Sequence, residues 1–233
     1  MLIACDATGL EWRILLLLSG DPVGIAEVNS GADIHSLNQQ ELILPSRLIA
    51  KKFLFRTIYR GSGYAFSKDN EFKHVSTDPE FWDAKNAGFY KKYGGINECH
   101  MKWQMRVANK KPIIGPSGRE WLIPPKLGGD VPWTTLTNYP VQGTGADLMS
   151  IARVSLRNRL KTGNLRSMLI STVHDSLIVD SPAEEKEIVI NMMHQTFNNL
   201  VPNMKKLWGI DSPIKFPCEV KIGDNLGEMH KHE

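Results

Sequence analysis

Two acidic residues occupy stretches where charge is costly. Asp6 lies in the run LIACDAT, and Asp175 lies where two apolar runs meet in SMLISTVHDSLIVDSP. Removing a carboxylate from water costs several kcal/mol unless a cation or hydrogen bonds compensate it. Two such residues at strand ends therefore point to a divalent cation held by hard oxygen donors. Taken singly, each serves equally well as a turn or cap residue. A second set, Arg47, Lys51, Phe55 and Tyr59, recurs every fourth residue and so shares one slowly drifting helical face. Solvated helices usually mix their charges and bury aromatics on the opposite side. Two cations followed by two aromatics suit a triphosphate held by Arg47 and Lys51, with a base or sugar against Phe55 and Tyr59. The alternative is a basic surface stripe beside the core. QGTGAD has the glycines of a phosphate loop but not its Gly-Lys-Ser/Thr ending.

The scaffold follows from the patterning around these residues. LIACDAT reads as a buried strand and EWRILLLLS as a helix ended by Gly20 and Asp21. GADIHSLNQQEL turns helical with Asp33 as its N-cap, and Pro45-Ser46 introduces a helix from Arg47 to Tyr59, ended by Gly61 and Gly63. Residues 68–130 are mostly polar. They contain helical pieces in PEFWDAKNAGFYKKY and CHMKWQMRVAN, and a hairpin around GPSGREWLIPP that turns at Pro116-Ser117-Gly118. A long helix is predicted after Asn138 and Pro140, over QGTGADLMSIARVSLRNRL. A hairpin with a charged tip at His174-Asp175, a helix over AEEKEIVINMMHQTFNNL and a last strand in PCEVKIG follow. The fold class is α+β, with a few antiparallel strands covered on one side by helices.

Composition bounds the reading without deciding it. A chain of 233 residues with 42% hydrophobic and 23% charged residues can build a packed core. The net charge of +3 is only a weak lean toward polyanions. Cys5, Cys99 and Cys218 are scattered, without zinc spacing, and fit reduced thiols. The apolar start is interrupted by Asp6, Glu11 and Arg13, so no membrane span or signal peptide is expected. The terminal HKHE reads as a frayed tail or a weak metal site.

Together the blocks resemble the motifs of family A DNA polymerases, the bacterial polymerase I and phage replicative type, over nearly the whole chain. Asp6-Ala7-Thr8-Gly9-Leu10-Glu11-Trp12-Arg13, running to Leu18-Ser19-Gly20-Asp21, resembles the first catalytic motif. Asp33-Ile34-His35 is similar to the family's Asp-Ile-His, and Arg47, Lys51, Phe55 and Tyr59 fall on its nucleotide-binding helix. Asn138-Tyr139-Pro140-Val141-Gln142-Gly143-Thr144 resembles the primer-contact helix, and Val173-His174-Asp175 matches the second catalytic motif.

The resemblance implies a right-hand palm, a small antiparallel sheet with helices, interrupted by a mostly helical fingers subdomain. The expected division is palm over residues 1–26, fingers and a connecting segment over 27–130, and palm again over 131–233. It further implies DNA-templated DNA polymerisation in which Asp6, Asp175 and the carbonyl of Ala7 bind two Mg2+ ions. His35, Arg47 and Lys51 would neutralise the triphosphate, with Lys51 also protonating pyrophosphate. Phe55 and Tyr59 would support the nascent base pair, and Glu11 would exclude a ribose 2′ hydroxyl. Arg13, Asn138, Gln142 and His174 would contact primer and template. The implied partners are primer–template DNA and dNTPs.

Departures from the family pattern shape the remaining expectations. The chain begins five residues ahead of Asp6, which predicts an absent thumb and a separate polypeptide supplying it and possibly an exonuclease. Such a split enzyme suggests a phage gene expressed in a bacterial cytoplasm. Ser176 stands where the family usually has Glu, and Arg60 where Gly usually follows Tyr59. His-Asp-Ser also occurs in single-subunit RNA polymerases of the phage type, a rival that Glu11 opposes. A non-catalytic DNA-binding remnant of the fold is the second rival.

Overall fold

The structure, a computed structural model, describes residues 1–126 and 130–232. Strand β1 (Leu2–Ala7) leads into helices α1 (Leu10–Ser19), α2 (Pro22–Asn29), α3 (Ile34–Glu41), α4 (Arg47–Thr57), α5 (Gly63–Lys68), α6 (Pro79–Lys92) and α7 (Gly94–Ala108). A short hairpin, β2 (Ile113–Ile114) and β3 (Glu120–Trp121), precedes the long helix α8 (Trp133–Thr162). The hairpin β4 (Met168–Val173) and β5 (Ser176–Asp180) comes next, then α9 (Lys186–Asn198), α10 (Leu200–Trp208), β6 (Cys218–Gly223) and β7 (His230–Lys231). The chain divides into two compact units: Met1–Ile14, Pro116–Gly118 and Gln142–Glu233 form the first, and Leu15–Gly115 with Arg119–Val141 the second.

The first unit is built on an antiparallel five-stranded sheet in the order β4-β5-β1-β6-β7. As the central strand, β1 buries Ile3, Ala4, Cys5 and Ala7, which explains its unbroken apolar run. Helix α9 packs on β1 and β6 through buried Val189, Ile190, Met193 and Phe197. The glycines of QGTGAD lie within α8, and a Cβ on Gly145 would stand 3.2 Å from Ile14 Cδ1. At Gly145 the small residue admits close helix packing.

The second unit is helical around an aromatic core. Phe53 of α4, Phe66 of α5, Phe72 and Trp82 of α6 are fully buried, with ring centroids 4.9–6.0 Å apart in stacked, tilted and edge contacts. Asp21 is also fully buried, yet both its oxygens are satisfied. Oδ1 accepts from Gly24 N and Oδ2 from Gly95 N, each at 2.8 Å, so one carboxylate serves the first turns of α2 and α7.

Several boundaries differ from the sequence reading. Helix α8 starts at Trp133, ahead of Pro140, which sits inside it. Proline's φ suits a helix but leaves the Leu136 carbonyl without its N–H donor. Burial of Leu136 and Val141 on either side stabilises the passage. The predicted helix from Arg47 to Tyr59 closes at Thr57, because Arg60 takes a left-handed conformation. The single helix expected over residues 183–200 is a 3-10 turn followed by α9, and α10 comes after it. Helix α2, passed over in the sequence, carries an ordinary start signal: Asp21 as N-cap and Pro22 at its first position.

Candidate functional site

In the first unit, strand pairing brings the two acids together. Asp6 is the penultimate residue of β1 and stands opposite Ser176, while Asp175 forms the β4–β5 turn with His174. The turn needs a left-handed residue, and His174 supplies it at φ 51°. Ala7 N donates to Asp175 O at 2.9 Å and fixes the turn beside the end of β1. Two acids remote in sequence thus occupy neighbouring strand ends.

A third charge joins them that the sequence reading missed. Lys221 of β6 lies opposite Ala4, and its Nζ donates diagonally to Asp6 Oδ2 at 2.6 Å. The hydrogen bond to Asp6 raises the Lys221 pKa, with Glu219 and Asp175 adding to the effect. Alternation in CEVKIG could have put Lys221 on the Asp6 face, but only strand order makes them neighbours.

The donor set suits a hard cation. Asp6, Asp175 and the Ala7 carbonyl offer oxygen alone, and magnesium typically takes one or two protein carboxylates and completes its shell with water and phosphate. Among the described residues no group of three or more His, Cys, Asp or Glu gathers as a metal cluster. One of these oxygens, Asp6 Oδ2, is already paired with a cation, the Lys221 ammonium. The residues fit the implied metal.

Nearby, Glu11 in the first turn of α1 accepts a hydrogen bond from Gln142 Nε2 of α8. The two family-like residues therefore meet across helices of one unit. Arg13 donates from Nη1 to Lys215 O at 2.7 Å and from Nε to Thr8 O at 3.0 Å, and burial lowers its pKa. Its guanidinium braces backbone carbonyls.

In the second unit, Ser46 caps α4 by accepting from Ile49 N at 3.2 Å. Arg47 and Lys51 are exposed, and Phe55 is half-buried on the same face. Asp33 has two tasks. It caps α3, accepting from His35 N, and it accepts a two-pronged hydrogen bond from Arg47, with Nε to Oδ2 at 2.6 Å and Nη2 to Oδ1 at 3.0 Å. The Arg47 and Ser36 hydrogen bonds hold the Asp33 carboxyl well below the usual carboxylate range. His35 has its ring 6.2 Å from that of Phe55. Burial lowers its pKa, the Arg47 charge lowers it further, and Asp33 partly opposes them. His35, Arg47, Lys51 and Phe55 thus gather on α3 and α4. Tyr59 lies just past the end of α4, and Asn138 sits half-buried in the first turns of α8.

Comparison with known proteins converges on one family. The profile described as DNA polymerase family A matches residues 1–228. DNA polymerase I of Lactococcus lactis subsp. lactis is 27% identical over 98% of this chain and 26% of its own length. The DNA polymerase of Bacillus phage SP01 is 22% identical over 98% and 26%. The thermostable DNA polymerase I of Thermus aquaticus is 26% identical over 98% and 27%. The chain spans about a quarter of the length of these curated relatives. The POL domain of Pol1 from M. smegmatis, solved in complex with DNA primer-template and dNTP, has a similar fold: TM-score 0.80 at 19% identity, covering 95% of this chain and 39% of that one.

Proposed function

Because the chain belongs to DNA polymerase family A, we propose that it carries the nucleotidyl-transfer centre of a DNA-templated DNA polymerase, which joins a dNTP to a primer 3′ hydroxyl. The observation that carries this reading is the Ala7–Asp175 backbone bond, which keeps Asp6 and Asp175 at adjacent strand ends. Two magnesium ions held by Asp6, Asp175 and the Ala7 carbonyl would supply Lewis-acid activation and neutralise phosphate charge. Lys221 would release Asp6 when they bind.

The remaining roles belong to side chains. Arg47 and Lys51 carry positive charge toward the triphosphate, and His35 donates a hydrogen bond to it. Lys51 holds the proton for departing pyrophosphate. Phe55 and Tyr59 present aromatic surface to the nascent pair. Glu11, fixed by Gln142, excludes a 2′ hydroxyl by bulk and by an unmatched carboxylate. Asn138, Gln142 and His174 contact primer and template, as Arg13 does through the backbone it braces.

In this reading residues 1–26 and 131–233 are the palm and 27–130 the fingers with a connecting segment; the two compact units divide instead at residues 14–15 and 141–142. A separate thumb-bearing polypeptide that grips duplex DNA is the proposed partner. Phage origin and a bacterial cytoplasm complete the proposal, supported by the SP01 relative.

Primer extension with labelled dNTP, alone and with a thumb-bearing partner, tests it. Asp175→Ala abolishes incorporation; incorporation that survives the substitution overturns the reading. Ser176 favours the RNA polymerase alternative, and Glu11→Ala decides between them. Ribonucleotide use rises if Glu11 is the gate and stays flat if it is not.

A further inference from the structure

The end of α4 is closed by a residue whose side chain ties several segments of the second unit together. Gly61 N donates to Arg56 O and Arg60 N to Thr57 O, both at 2.9 Å. These are the paired bonds of a Schellman close, in which Arg60 takes the left-handed position, φ 59°, that ordinarily selects glycine. A side chain is disfavoured there, so its retention calls for compensating contacts. The guanidinium makes them. Nη2 donates to Asn97 Oδ1 at 2.7 Å and Nε to His100 Nδ1 at 3.3 Å, while Cζ lies 4.1 Å from the Tyr90 ring centroid and 4.9 Å from that of Trp133. A cation between two aromatic rings is a favourable arrangement, and these partners come from α6, α7 and the start of α8.

Tyr90 and a second residue of α6, Asn86, also bind the α4 terminus. Tyr90 Oη donates to Thr57 O at 2.6 Å. Asn86 accepts from the Thr57 hydroxyl at 2.9 Å and donates to Gly61 O at 3.0 Å. The Thr57 hydroxyl and carbonyl and the Gly61 carbonyl are thereby tied to α6, with Arg60 as the strap across this turn. Tyr59 is the residue between.

We propose that Arg60 is a positioning residue for the incoming nucleotide: by clamping the last turn of α4 it fixes the direction of Tyr59 and hence the aromatic end of the nucleotide grip. This rests on the nucleotide role proposed above for α4. Arg60→Gly restores left-handed freedom and deletes the clamp together, so binding loses preorganisation while the reacting groups stay untouched.

The test is primer extension by the full chain, alone and with a thumb-bearing partner, comparing wild type, Arg60→Gly and Arg60→Lys. In Arg60→Gly the KM for dNTP rises about tenfold while kcat stays within about twofold, the pattern of lost ground-state and transition-state binding alike. Arg60→Lys keeps the charge without the fork and falls between. Hydrogen exchange of the amides of residues 57–63 quickens in Arg60→Gly, and that of the β1 and β5 amides does not. An unchanged KM in Arg60→Gly overturns the inference. So does a fall in kcat and melting temperature together in both variants, which is a merely structural role. Asp175→Ala separates the layers: turnover lost there with a wild-type KM in Arg60→Gly sinks the Arg60 inference alone, whereas turnover that survives Asp175→Ala sinks the functional reading and this inference with it.

Discussion

Acidification should weaken the second unit most of all through one histidine. His100 is fully buried on α7, its Nδ1 accepts from Arg60 Nε, and its Nε2 has no hydrogen-bond partner among the described residues. Burial, reinforced by the Arg60 charge, holds its pKa down at about 3. The unfolded chain protonates this ring near the ordinary value of about 6.5. Between those two values the unfolded state binds the extra proton, so stability falls as pH falls, by about 1.4 kcal/mol per unit. From pH 7 to pH 5 the loss is about 2 kcal/mol, a sizeable share of the roughly 5–15 kcal/mol that holds a domain together. Urea unfolding followed by tryptophan fluorescence at both pH values measures it. Carboxylates such as Asp33 and Asp69, with depressed pKa values, add their own losses at lower pH. The difference between wild type and His100→Phe isolates the imidazole, since phenylalanine keeps the ring contacts with Tyr90 and Trp103. The variant should lose about 2 kcal/mol less than wild type over this interval. Equal losses in both would refute the reasoning.

Other substitutions address the two charge clusters. The Lys221–Asp6 pair is part-exposed, so it is worth only about 0.2–1 kcal/mol. Lys221→Met should therefore tighten divalent-cation binding by about 1.4- to 5-fold, read as Mn2+ affinity by electron spin resonance; weaker binding would mean that the ammonium orients Asp6 instead of competing for it. Asp33→Asn should keep most of the α3 cap, because asparagine accepts from the same N–H groups, while releasing Arg47. The expected result is a few-fold lower dNTP KM with a helix content by circular dichroism close to wild type.

The readable parts of the fold were those with local signals. The Asp33 and Ser46 caps, the apolar run of β1 and the Pro116-Ser117-Gly118 turn each carry their chemistry within a few residues, and each appears where the pattern puts it. Boundaries failed where tertiary packing overrode propensity, as at Pro140, carried within α8 between buried Leu136 and Val141, and at Arg60, whose backbone is held by partners far along the chain. In the site, Asp6 and Asp175 stood out because each is a charge in an apolar stretch of sequence, although the fold leaves both part-exposed. Lys221 did not, since a lysine in a strand is commonplace until strand order puts Asp6 beside it. The Asp33–Arg47 pair escaped for a related reason: a capping residue has no evident second employer, and only the fold of α3 onto α4 supplies one.

The sheet's centre has a consequence for biosynthesis. Strand β1 is translated well before both its neighbours, β5 and β6, which lie about 170–210 residues further along. At about 5–20 residues per second, the ribosome leaves this apolar segment waiting on the order of 10–40 s for its final partner. During that interval it is an unpaired, aggregation-prone ribbon. Chaperone dependence and slow maturation should accompany expression, and a lower growth temperature should improve the soluble yield.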